Sequence, residues 1–194
     1  MHLMPASRDD RARLCGIDPG SNTLGFCSIE FSVDTLDIYS TEACTFIGTK
    51  LPAQIHTANV QGDRIARILA HEENLYRCFE YHRPLTVVSE SPFYSSRMPN
   101  AFQALLEVLN AIRQALLRHN NLMCLEIIDP PSVKKAVGAP GNAGKDEVKA
   151  AVMKLTDLNF QGPVPLALLD EHSIDAIAVA YSKIREYRLY RQGN

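Results

Sequence analysis

This chain has no CxxC pair, no long apolar run and no excess of positive charge, and each absence excludes a class of protein. Its five cysteines, Cys15, Cys27, Cys44, Cys78 and Cys124, are odd in number and unpaired in spacing. A disulfide framework or a zinc knuckle is therefore not indicated; four of the five lie in apolar segments and read as small buried hydrophobes in a reducing compartment. No segment is apolar enough to span a bilayer and no cleavable leader is evident, which gives a cytoplasmic expectation. There is also no helix-turn-helix pattern, internal repeat, low-complexity tract or interdomain linker. With Lys and Arg numbering 20 against 22 Asp and Glu, the formal net charge of -2 argues against a generic nucleic-acid coat.

What is present is an ordinary globular composition, 46% hydrophobic and 22% charged over 194 residues, enough for one domain with its own core. Residues 1–12 are polar and read as a flexible extension, leaving a single domain over 13–190. Charge is unevenly spread. Lys134, Lys135, Lys145, Lys149 and Lys154 fall in one stretch, whereas Asp18, Glu90, Asp170, Glu171 and Asp175 are dispersed at element boundaries.

The pattern predicts strands at 13–18, 23–31 and 36–47, then a loop over 48–58. From Gln61 to His82 the spacing of Ile65, Ile68, Leu69, Leu75 and Phe79 is helical, and Pro84 ends that run. "LTVVSE" reads as a buried strand ending on Glu90. A second helix, with Asn100 available as its cap, carries the stripe Phe102, Leu105, Leu106, Leu109, Ile112 and Leu116. "MCLEII" is a further strand. A short helix opens at Pro131, another runs from Lys145 to about Leu158, and Asp170 can cap the last one. Three strands in a meander followed by alternating helix and strand predict an α/β fold. Its five-stranded mixed sheet has three antiparallel strands, then two parallel ones, with helices on both faces.

"CGIDPGSNTLGF" runs an apolar segment into Asp18, turns on Pro-Gly, and resumes as a second strand. A carboxylate there is either a turn residue bonding its own backbone or a ligand for something electropositive. Glu90 ends another strand. Asp175 lies in the first turns of the last helix with His172 three residues before it on the same face. If the first and fourth strands are parallel neighbours, Asp18 and Glu90 project at one sheet end, where a docked helix start would bring His172 and Asp175. Separately, Asp18 also suits a turn, Glu90 an ion pair, and Asp175 the favourable first turn of a helix dipole. Together they form a negative cluster that is costly to bury without a cation. Oxygen donors favour Mg²⁺ or Mn²⁺, and two such ions about 3.5–4 Å apart can serve phosphodiester hydrolysis.

"GIDPG", "VSESPF", "SVKKAV" with a downstream "GK", and "DEHSIDAIAVAY" occur in the order found in RuvC-type Holliday-junction resolvases of the ribonuclease H-like superfamily, and the resemblance covers about residues 13–185. It implies that Asp18, Glu90, His172 and Asp175 hold two Mg²⁺ ions, with Mn²⁺ able to substitute. It implies that Phe93 stacks on a base at the open junction, that Lys134 and Lys145 contact the DNA backbone with Lys135 beside them, and that Lys145 assists at the scissile phosphate. The implied protein is a homodimeric endodeoxyribonuclease that resolves four-way DNA junctions by paired symmetric nicks. Glu171 is an alternative carboxylate to His172 but sits one position off the face of Asp175. The stretch "FQALLEVLN" is bulkier than the Gly/Ala-rich helix of bacterial members, which implies different dimer packing. That departure and the long extension suggest a divergent bacteriophage or organellar branch. A branched-DNA, flap or RNA-processing nuclease of the same fold, or a non-catalytic junction-binding protein, are the alternatives. An actin-like phosphate-binding domain shares only the first hairpin, lacks the second and needs a longer chain.

Overall fold

The structure, a computed structural model, describes residues 10–48, 54–92 and 99–193. Strands β1 (Arg11–Asp18), β2 (Thr23–Ser32) and β3 (Ile38–Ile47) form the meander. Helices α1 (Ile55–Gln61) and α2 (Asp63–His82) lead to β4 (Thr86–Glu90), and α3 (Pro99–His119) leads to β5 (Leu125–Ile128). Helices α4 (Pro130–Ala136), α5 (Lys145–Val152) and α6 (Glu171–Gln192) complete the chain. The sheet order is β3-β2-β1-β4-β5, with β1–β4 and β4–β5 parallel and the other pairs antiparallel. That is the predicted mixed sheet, and β1 and β4 are the parallel neighbours on which the site depends.

Several boundaries differ from expectation. β1 starts at Arg11, two residues early, where the Arg11 and Arg13 guanidiniums pair with Glu30 on β2. The expected loop over 48–58 contains most of α1, which buries none of its residues and so carries no apolar stripe to betray it. Gly62, at φ 89°, separates α1 from α2. α5 ends at Val152, short of Leu158. Asn100 lies inside α3 rather than capping it. Of the cysteines, Cys15 and Cys27 are buried, whereas Cys44 and Cys124 are exposed, against expectation.

Period-2 alternation sorts the strand residues onto two cores. Cys15, Ile17, Leu24, Phe26 and Val87 pack against α2 and α3. Leu14, Cys27, Ile29, Phe31 and Val88 pack on the opposite face with α6. The same alternation carries Gly16, Asp18, Thr23, Gly25 and Glu90 to the α6 face. Two of these are glycines because α6 lies directly on the sheet backbone. A Cβ on Gly25 would stand 2.0 Å from the His172 carbonyl oxygen, and one on Gly16 would stand 2.5 Å from the Ala180 nitrogen. The start of α6 is also tied down. Asp170 accepts from the Ser173 amide at 3.1 Å, the capping bond the sequence predicts, and from Thr45 Oγ1 of β3 at 2.6 Å.

Because the obstructing atoms are backbone, Gly25→Ala forces the first turn of α6 off the sheet. A loss of about 1–3 kcal/mol is expected in urea unfolding. An unchanged midpoint would show that the helix does not press on β2 as described.

Candidate active site

The parallel β1–β4 register, which aligns Ile17 with Ser89, brings the strand ends Asp18 and Glu90 side by side at one edge of the sheet. The first two turns of α6 add His172 and Asp175 from above. All four residues that the sequence nominates are therefore brought together, from three elements. His172 is held at both ring nitrogens: Nδ1 lies 2.8 Å from Asp18 Oδ2, and Nε2 lies 2.7 Å from Thr23 Oγ1. Glu90 and Asp175 line a cleft of about 230 Å³ whose other walls include Pro130, Lys134, Gly144 and Lys145.

The electrostatics follow from that crowding. Burial, then the negative charges of Asp18 and Asp175, push the Glu90 carboxyl up to about 7. Burial and Asp18 likewise raise Asp175 to about 6, against the partial relief of Lys145 and His172. The hydrogen bond to Asp18 raises the His172 imidazole above its usual range. Three carboxylates thus sense one another across a half-buried cleft, with less positive charge nearby than they need. Oxygen donors with one imidazole are the chemistry of a hard divalent ion. As the side chains stand, no group of three or more His, Cys, Asp or Glu among the described residues is poised to enclose an ion. The donor set fits a divalent cation by chemistry and charge.

The lysines divide. Lys145, the first residue of α5, pairs with Glu171 Oε1 at 2.6 Å, a bond that raises the ammonium and lowers the carboxyl. Glu171, the alternative carboxylate, is therefore directed to Lys145. Lys145 and Asp175 also border a second hollow of about 250 Å³ with Lys149 and Asp170. Lys134 reaches into the first cleft and donates to the Ala143 carbonyl at 2.8 Å. Lys135 does not join it. It lines a separate groove with Arg185 and Glu186, on another side of α4. Phe93 lies outside the described residues. Thr23 is the participant that sequence reasoning missed. Its signal was available, since alternation from Gly25 places position 23 on the same face.

A family model described as crossover junction endodeoxyribonuclease RuvC matches residues 14–183. Proteins of that description from two strains of Dehalococcoides mccartyi are 29% and 28% identical over 169 residues, covering 87% of this chain and 88% and 89% of theirs. Among solved structures, Thermus thermophilus RuvC in complex with Holliday junction substrate matches with a TM-score of 0.64 at 20% identity, over 91% of this chain and 96% of that one. The yeast mitochondrial Holliday junction resolvase Ydc2 matches at 0.59 and 14% identity, over 94% and 84%. At those identities the structural likeness is one of fold.

A carboxyl raised on folding holds its proton more tightly in the native state. The contribution of Glu90 to stability is then fully present at or below about pH 4.5 and is lost as pH rises through about 7, where the carboxyl must ionise. In chelator, Glu90→Gln should gain on the wild type by roughly 1–3 kcal/mol between pH 5 and pH 8 in denaturant titrations. Parallel pH profiles for the two proteins would remove Glu90 from the charged cluster.

Proposed function

Since the chain belongs to the RuvC family of crossover junction endodeoxyribonucleases, we propose that it resolves four-way DNA junctions by paired symmetric nicks, using the cleft at the β1–β4 end of the sheet. The observation that carries this reading is the convergence of Asp18, Glu90 and Asp175 there, with Lys134 and Lys145 on the walls. The family is divalent-metal dependent. Asp18, Glu90, His172 and Asp175 are proposed to hold two Mg²⁺ ions, which when bound would supply an activated water and neutralise charge building on the phosphodiester.

The chain's own groups do the positioning. Lys145 stands at the rim on an exposed side chain, so its ammonium can exchange Glu171 for a phosphate oxygen without unfolding anything. Glu171 meanwhile keeps that ammonium beside Asp175 when no DNA is bound. Lys134 is steadied by the Ala143 carbonyl and offers a fixed charge on the opposite wall. Lys135, facing the other groove, is proposed to contact the backbone outside the cleft. Phe93, three residues after Glu90, is proposed to stack on a base unpaired at the branch point, an interaction worth about 1–3 kcal/mol. A homodimer suits the substrate, because a two-fold enzyme places two such clefts on the opposed strands of a nearly two-fold junction. Backbone contacts rather than base readout make binding steeply salt dependent. No helix among the described residues is long and apolar enough to cross a membrane.

The test is a labelled immobile junction incubated with Mg²⁺, Mn²⁺ or chelator, beside Asp175→Asn. Symmetric nicks should appear with either metal and fall more than about 100-fold in the variant, with junction binding retained. Binding without cutting would contradict the nuclease reading. Cuts confined to flaps or RNA would contradict the substrate.

A further inference from the structure

We propose that Thr23 is a positioning residue that fixes the orientation of the His172 ring, holding it against Asp18 at the edge of the metal site. This rests on the metal-site reading above.

The imidazole is gripped at two points, Nδ1 by Asp18 at 2.8 Å and Nε2 by Thr23 at 2.7 Å, so a ring flip would break both bonds. A hydroxyl can donate or accept, so Thr23 holds Nε2 whichever way the protons of the ring are placed. Metal-ligating histidines characteristically donate their second N–H to such a partner.

Thr23 is well fixed for the task. It opens β2 opposite Ile47, its β-branched side chain has few rotamers, and the Pro19–Asn22 turn folds so closely on it that a Cβ at Gly20 would stand 2.1 Å from its carbonyl oxygen. The other polar group near Nε2, Glu171 Oε1, is 3.6 Å away and paired with Lys145.

The experiment measures Mn²⁺ binding by the loss of the free-ion EPR signal in the full chain, for wild type, Thr23→Val, Thr23→Ser and Glu90→Gln. Thr23→Val should bind Mn²⁺ at least about 10-fold more weakly with an unchanged melting temperature. Thr23→Ser should restore affinity. Wild-type affinity in Thr23→Val, or no recovery of affinity in Thr23→Ser, would overturn the role of Thr23 while leaving the site intact. A wild type that binds no Mn²⁺, or a Glu90→Gln variant that binds as tightly as wild type, would overturn the site reading and this inference with it.

Discussion

Helix α6 rests on bare sheet backbone, and the arrangement of the candidate site depends on that contact. Gly16 on β1 and Gly25 on β2 leave no side chain between strand and helix, and Ala176 and Ala180 meet them from the helix side. Any larger residue at this seam would lift the first turns of α6, moving His172 away from Asp18 and Asp175 away from Glu90. The helix cannot adjust by sliding, because residues 173–184, except Asp175, are buried. Even Lys183 is buried there, its ammonium held by Glu126 and Glu186. The Thr45–Asp170 bond then fixes where along β2 and β3 the helix begins. The site is built on rigid elements, and its precision comes from close packing rather than from loops.

The same packing creates the electrostatic strain. Three acids sit at one half-buried sheet end, and two of them are pushed toward neutral pH by burial and by their neighbours. A protein selected for stability alone would place apolar or paired groups there. The unfavourable charge is what the proposed cations would neutralise. Lys134 and Lys145 are walls of the cleft rather than partners that cancel it, one bonded to a backbone carbonyl and the other to an exposed carboxylate. This division keeps the two lysines on the walls and leaves the carboxyls between them crowded by like charge.

Much of this was legible in the sequence. Strand alternation and the order of elements predicted the mixed sheet, and the carboxylates at strand ends and in the first turns of α6 were brought together as their positions implied. What escaped had physical reasons. α1 buries nothing, so it left no periodic stripe over 48–58. Neighbouring residues on a helix point about 100° apart, and the run "KK" cannot reveal that Lys134 enters the cleft while Lys135 enters another groove. Cys44 and Cys124 lie in apolar stretches, yet both are exposed. Alternation puts Thr23 on the face of Gly25, but its partner lies 149 positions away on a helix whose docking the sequence does not show.

The central claim is that Asp18, Glu90 and Asp175 form one cation site with His172. Anomalous diffraction from crystals grown or soaked in Mn²⁺, at a concentration that supports junction cleavage, tests it most directly. The account predicts anomalous peaks bounded by those four side chains, with the carboxylates drawn inward from their present spacing. Crystals of cleavage-competent protein with an empty cleft, or with the metal bound elsewhere, would contradict it.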